Sequence, residues 1–142
     1  MAATRLFVYG TLRNIAGRNG SAEPEQAARI RAQLQRNGQW LGRGYCRGRL
    51  YRVGWYPALV PSPLATDQVR GEVFRLLRPQ SLLAILDKYE GFIERAPSSS
   101  HYLRERATVT MDDGHVLTAW VYRYNRPTAS LERIESGDFL AP

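Results

Sequence analysis

Hydrophobic positions along this chain form short continuous or alternating runs, a pattern typical of strands rather than of long helices. The run at Leu6–Tyr9 is continuous and is followed by Gly10, which indicates a buried strand that enters a tight turn. The later runs alternate between apolar and polar residues, as half-buried strands do. We predict five strands of one curved sheet at Leu6–Tyr9, Arg47–Val53, Val69–Leu76, Arg104–Met111 and Val116–Tyr124.

Turn residues mark the places where these strands bend or end. Asp112-Asp113-Gly114 separates the last two strands and predicts an antiparallel hairpin. Gly48 predicts a bulge or bend in the second strand. The segment Trp55–Pro61 is interpreted as a turn followed by an extended stretch, and the tail from Asn125 to Pro142 is rich in turn and polar residues.

Two segments have the spacing of amphipathic helices. Pro24–Asn37 is followed by Gly38, and Pro79–Tyr89 begins with a proline suited to a first helical turn and is followed by Gly91. The apolar positions are Ala27, Ile30 and Leu34 in the first helix and Leu82, Leu83, Ile85, Leu86 and Tyr89 in the second.

This order of elements predicts an α+β fold in one domain, residues 1–142. The sheet is expected to be strongly curved and mostly antiparallel, forming a small barrel with flanking helices. A chain of 142 residues is long enough to bury a core without disulfides or metal, and 44% hydrophobic with 23% charged residues is typical of soluble globular proteins.

The net charge of +7 raises the question of a nucleic-acid partner. Nineteen of the twenty basic residues are Arg, and they are scattered along the chain with only a loose cluster between Arg43 and Arg52. This distribution indicates a compositional preference for Arg and a solvated basic surface, and it argues against nucleic-acid binding.

The sequence also predicts where the protein resides. No apolar run approaches the roughly 18–20 residues that cross a bilayer, and the N-terminus lacks the pattern of a secretory signal. The lone Cys46 cannot form an internal disulfide. We therefore expect a cytoplasmic protein with no membrane partner.

Several familiar kinds of site have little support. Asp112, Asp113 and His115 resemble metal ligands but are better explained as a hairpin tip, and His101 is expected in a loop. Cys46 fits a buried apolar position, and no Gly-x-Ser-x-Gly motif occurs. No metal and no cofactor is expected.

Two segments remain as candidates for chemistry. After Val8, the turn Tyr9-Gly10-Thr11-Leu12 either directs its backbone N–H groups toward an anion or is a simple turn. Glu90 ends the second helix, where the helix dipole and burial would raise its pKa and suit it to proton transfer. The alternative is a surface glutamate paired with Lys88 or an Arg, and Asp87 is the rival carboxylate.

Together the two segments resemble the signatures of the γ-glutamylcyclotransferase-like family. Phe7–Leu12 and Leu86–Gly91 are similar to its two motifs, and Gly48–Val60, Gly71–Phe74, Tyr102–Arg104 and Ala119–Tyr122 are similar to its strands in the same order. The resemblance implies a compact barrel with a cavity for a γ-glutamyl group, Glu90 as the acid/base, and substrate contacts from Tyr9, Gly10, Thr11, Leu12, Tyr56 and Tyr122.

The activity implied by this resemblance is cyclisation of a γ-glutamyl amine or peptide to 5-oxoproline with release of the amine. The partner would then be a small γ-glutamyl molecule. Two alternatives from other classes stay open at this point: a binding or regulatory module that uses the same pocket without turnover, and a basic nucleic-acid-binding domain.

Overall fold

The structure is a computed structural model and describes residues 3–13 and 25–142. Five strands form a closed barrel in the order β1-β5-β2-β6-β7, and three others form a second sheet in the order β4-β3-β8. The barrel strands are β1 (Arg5–Val8), β2 (Gly38–Arg47), β5 (Gln68–Leu76), β6 (Tyr102–Met111) and β7 (Val116–Tyr124). The second sheet contains β3 (Arg49–Val53), β4 (Tyr56–Val60) and β8 (Glu132–Arg133), and the helices are α1 (Glu25–Asn37) and α2 (Pro79–Glu90).

The barrel is mostly antiparallel and is closed by one parallel contact. Its neighbouring strands pair antiparallel from β1 through β7, whereas β7 meets β1 in parallel at Trp120 and Leu6. The α+β barrel with flanking helices that the sequence predicted is therefore confirmed.

The core lies in two layers on opposite faces of the barrel wall. Inside the barrel, Phe7 of β1 packs with the apolar residues of the other strands, and Leu50 and Leu59 of the second sheet join this cluster together with Ile134, which follows β8. Outside the barrel, Leu6 and Val8 pack against both helices. Because both faces of β1 are buried, its sequence is a continuous apolar run rather than an alternating one.

The predicted strand Arg47–Val53 is wrong as a single barrel strand. β2 ends at Arg47 and β3 begins at Arg49 in a different sheet, so the chain changes sheets at Gly48. A Cβ atom at Gly48 would lie 2.9 Å from the carbonyl oxygen of Val60, so this crossing depends on the absence of a side chain. An alternating pattern indicates a strand but does not indicate which sheet the strand joins.

The other predicted elements agree closely with the structure. β6 and β7 form the predicted hairpin, with His115 exposed at its tip, and α2 ends at Glu90, one residue beyond the prediction. The predicted start of the first helix at Pro24 lies outside the described residues. Cys46 is buried in the barrel, as expected, and its burial raises its pKa to about 12. None of the helices among residues 3–13 and 25–142 is long and apolar enough to span a membrane.

Candidate functional site

A pocket opens where the end of β1, the start of β4 and the C-terminus of α2 meet at the barrel. All seven residues that the family resemblance assigned to the site line this pocket. Five further residues that sequence reasoning did not assign also line it. The complete lining consists of Phe7, Val8, Tyr9, Gly10, Thr11, Leu12, Tyr56, Pro57, Tyr89, Glu90, Tyr102 and Tyr122.

The turn that follows β1, residues 9–12, is named the substrate loop after the role that the family resemblance implies for it. It lies directly against β4, because a Cβ atom at Gly10 would be only 2.3 Å from Cγ of Pro57. The N–H of Arg13 donates to the carbonyl of Gly10 at 3.1 Å, and the guanidinium of Arg31 on α1 donates to the carbonyl of Thr11 at 2.7 Å. The backbone is thus a closed turn, held between the second sheet and α1.

A buried ion pair anchors the end of the substrate loop. Arg13 is 4% exposed and Glu72 is fully buried, and their side chains meet at 3.0 Å. Glu72 also accepts a hydrogen bond from the Trp40 indole at 2.9 Å, and Arg13 donates to Asp138 of the tail at 2.8 Å. This Arg13–Glu72 network therefore joins the substrate loop to two barrel strands and to the C-terminal tail.

Two pocket tyrosines use their hydroxyls to hold the pocket walls together. The Tyr9 hydroxyl donates to the carbonyl of Tyr122 and accepts the N–H of Leu59, and the Tyr102 hydroxyl donates to the carbonyl of Pro57 at 2.8 Å. Burial raises the pKa of both phenols, so they stay protonated and neutral.

Asp87, the rival carboxylate, is fully engaged in a structural cluster. Arg104 of β6 donates to it through two nitrogens at 2.8 and 3.2 Å, and the Tyr122 hydroxyl donates to it at 2.6 Å. The Tyr122 ring lines the pocket, but its hydroxyl proton is directed to Asp87. Asp87 therefore fastens α2 to the barrel.

Glu90 is the pocket carboxyl without a charged partner. Helix α2 ends there because Gly91 adopts a left-handed conformation, with φ of 69°, and Phe92 donates back to the carbonyl of Asp87 at 2.9 Å. No ion pair to Glu90 is formed by the Lys and Arg residues that the structure describes. Burial raises the pKa of its carboxyl to about 8. The dominant cause is thus desolvation, rather than the helix dipole.

Tyr89 and Tyr102 are pocket residues that sequence reasoning did not assign. Tyr89 belongs to the apolar stripe of the predicted second helix, where an aromatic residue is ordinarily part of the core. Its hydroxyl would have been the signal, because a phenol in a buried helix stripe needs a hydrogen-bond partner. Tyr102 begins a strand, and its spacing alone does not distinguish a core position from a pocket position.

Comparisons with known proteins show the family to which this chain belongs. Residues 6–141 match the family described as "Gamma-glutamyl cyclotransferase, AIG2-like". The chain is 31% identical to the γ-glutamylcyclotransferase family protein YtfP of Escherichia coli strain K12 over 143 residues, which cover 96% of each chain. The chain belongs to the γ-glutamyl cyclotransferase, AIG2-like family.

Solved structures extend the similarity of fold. The solution structure of ytfP from Escherichia coli superposes with a TM-score of 0.60, at 31% identity, covering 97% of each chain. The crystal structure of an AIG2-like protein from Mus musculus superposes with a TM-score of 0.66 at 22% identity, covering 95% of this chain and 88% of that one. The match to ytfP supports the family and the fold, and the match to the mouse protein supports the fold.

The Arg13–Glu72 network generates a stability prediction. Arg13→Met removes the guanidinium that contacts the buried Glu72 carboxylate and should lower the free energy of unfolding by about 3–5 kcal/mol in urea denaturation at pH 7. Arg13→Met combined with Glu72→Leu should recover most of this loss, because both charges of the buried pair are then removed.

The matched control is Arg123→Met, which breaks the exposed ion pair between Arg123 and Glu105. Pairs of that kind contribute up to about 1 kcal/mol. If Arg13→Met were no less stable than Arg123→Met, breaking the buried ion pair would cost no more than breaking an exposed one, and the prediction would be wrong.

The raised pKa of Glu90 predicts that this carboxyl destabilises the fold as pH rises. The folded protein holds the proton up to about pH 8, whereas the unfolded chain loses it near 4.5, so the folded state binds more protons between these values and loses stability there. Glu90→Gln should therefore match the wild type at pH 4.5 and be more stable at pH 8.5, by on the order of 1–4 kcal/mol in urea denaturation.

Glu94→Gln serves as the control, since Glu94 is an exposed carboxylate four residues further along the chain. It should show no such change with pH. If Glu90→Gln and the wild type differed in stability by the same amount at both pH values, burial would not raise the pKa of Glu90 and the prediction would be wrong.

Proposed function

We propose that this protein is a γ-glutamylcyclotransferase-type enzyme with Glu90 as its general acid/base. The reaction would convert a γ-glutamyl amine or peptide to 5-oxoproline and release the amine. The observation that carries the proposal is a carboxyl with no ion-pair partner among the described residues and a pKa of about 8, on the same pocket as the substrate loop. Membership of the family supports it.

The chemistry needs only groups of the kind found in this pocket. The α-amine of the γ-glutamyl compound attacks its own side-chain carbonyl, a new C–N bond closes a five-membered ring, and the original amide C–N bond breaks. Because nucleophile and carbonyl belong to one molecule, a site that holds the glutamyl chain folded removes most of the entropic barrier. The rigid aromatic walls of the pocket are suited to holding a single folded conformer.

Glu90 would transfer protons at both ends of this step. As a carboxylate it accepts a proton from the α-ammonium group, which makes the nitrogen nucleophilic, and as a carboxylic acid it donates a proton to the departing nitrogen. A pKa near working pH makes both forms accessible. A bound ammonium group would stabilise the carboxylate, so binding the substrate itself favours the basic form.

The substrate loop would supply hydrogen bonds from its backbone. Two of its carbonyl groups already accept hydrogen bonds, from the backbone N–H of Arg13 and the guanidinium of Arg31. N–H groups of Gly10–Leu12 could then donate to the α-carboxylate or to the oxyanion that develops on the γ-carbonyl oxygen. In this proposal the substrate loop binds the substrate and stabilises developing charge, whereas Glu90 transfers the protons.

The test is release of 5-oxoproline from a panel of γ-glutamyl amines and peptides. With a substrate identified in this way, Glu90→Gln should lower kcat by roughly 10²–10⁴-fold and change substrate binding much less, because the amide keeps the size of the side chain but cannot accept the proton. In the wild type, kcat/KM should rise with pH through an apparent pKa of about 8, and this rise should disappear in the variant.

Glu94→Gln is again the control and should retain wild-type turnover and pH profile. Comparable kcat in Glu90→Gln and the wild type would remove Glu90 from the mechanism. Binding of γ-glutamyl compounds without release of 5-oxoproline from any member of the panel would instead favour a non-catalytic binding module.

A further inference from the structure

One hydroxyl of the pocket has no hydrogen-bond partner among residues 3–13 and 25–142. The Tyr89 oxygen is buried and forms no hydrogen bond with the described residues. The side chains of Thr11 and Tyr56, both in the pocket lining, face this oxygen and affect its pKa as hydrogen-bonding groups, but neither meets the distance and angle of a formed hydrogen bond. Leaving a buried hydroxyl unpaired is unfavourable, and in native proteins such a group calls for an explanation.

Three other phenols of the pocket are already committed. The hydroxyls of Tyr9, Tyr102 and Tyr122 each donate their single proton to an oxygen of the protein. Tyr89 therefore keeps a donor for a ligand in the pocket. Its burial raises its pKa, so at neutral pH the phenol is protonated and can donate.

The pocket would bind an anionic group through neutral donors. None of its twelve described lining residues is Lys or Arg, and Glu90 is its only carboxyl. A hydrogen bond from a neutral donor is strongest when its acceptor is charged. On a γ-glutamyl compound before reaction, the charged acceptor is the α-carboxylate, whereas the γ-carbonyl oxygen is still neutral.

We propose that the Tyr89 hydroxyl donates a hydrogen bond to the α-carboxylate of the substrate and so selects γ-glutamyl compounds in which this carboxylate is free. The inference rests on the proposed function, since it takes the γ-glutamyl group as the occupant of the pocket. Tyr89 and Glu90 are consecutive at the end of α2, so one helix terminus would present a donor for the carboxylate and an acceptor for the ammonium group.

The test uses two ligands that differ only in the carboxylate: 5-oxoproline and 2-pyrrolidinone. Their binding to the wild type and to Tyr89→Phe is measured by NMR titration at pH 6.5, where Glu90 is mostly protonated. Tyr89→Phe should weaken 5-oxoproline binding roughly 10- to 100-fold, as expected for a lost hydrogen bond to a charged group, and should change 2-pyrrolidinone binding less than about 2-fold.

Thermal stability provides a second readout. If the Tyr89 hydroxyl instead stabilised the fold, Tyr89→Phe would lower the Tm. Tyr89→Phe removes an unpaired buried polar atom, so its Tm should equal or exceed that of the wild type. Tyr102→Phe should lower the Tm, because it removes a hydrogen bond to the Pro57 carbonyl. Tyr45→Phe, outside the pocket, is the matched control for ligand binding.

Kinetics separate the two possible oxygens on the substrate. A bond to the α-carboxylate is present before and during reaction, so Tyr89→Phe should raise KM with little change in kcat. A loss confined to kcat would assign the hydroxyl to the developing oxyanion and overturn the proposal. Equal losses for both ligands, no loss for 5-oxoproline, or no preference of the wild type for 5-oxoproline would also overturn it.

The proposed function can fail separately from this inference. If the wild type releases no 5-oxoproline from the γ-glutamyl panel but binds 5-oxoproline through Tyr89, the catalytic proposal fails and the carboxylate assignment stands. If turnover is observed and Tyr89→Phe leaves KM and ligand binding unchanged, the catalytic proposal stands and the carboxylate assignment of Tyr89 fails.

Discussion

The buried ion pair between Arg13 and Glu72 is the constraint on which the position of the substrate loop depends. Removing two charges from water is costly, and the cost is offset only when each charge has good partners. Here Glu72 accepts from Arg13 and Trp40, and Arg13 also donates to Asp138. These bonds join the loop, the barrel and the tail to one another. The network thus fixes where the loop meets the pocket, whatever its net contribution to stability.

The same balance of charge and burial separates the two carboxyls of α2. Asp87 receives two hydrogen bonds from Arg104 and one from Tyr122, which tie it into the structure. Glu90 is one turn further along and faces a pocket of aromatic rings, where desolvation raises its pKa to about 8. Two acids on one helix therefore differ in role because their surroundings differ, which is how proteins commonly divide structural from proton-transfer duties.

The fold was predictable from sequence to the extent that its signals are local. Hydrophobic spacing located four of the five barrel strands and both helices, and Gly91 marked the end of α2, but the barrel strand Gly38–Arg47 was missed. Sheet membership was not predictable, because the change of sheets at Gly48 depends on contact with Val60. The two-residue strand β8 has exposed side chains and no hydrophobic pattern. For the site, the motifs indicated the loop and Glu90, whereas the partners of Asp87 and the unpaired Tyr89 hydroxyl arise from tertiary packing.

The second sheet contributes to the site as much as the motifs do, although the alternation of apolar and polar residues did not separate it from the barrel. Its strand β4 carries Tyr56 and Pro57 into the pocket, and Pro57 lies so close to Gly10 that no side chain fits between them. The Pro57 carbonyl also holds the Tyr102 hydroxyl. Glycine in the loop motif is therefore explained by close packing with β4, without any contact with substrate. A motif residue can thus be required by the pocket's construction while its neighbours provide the chemistry.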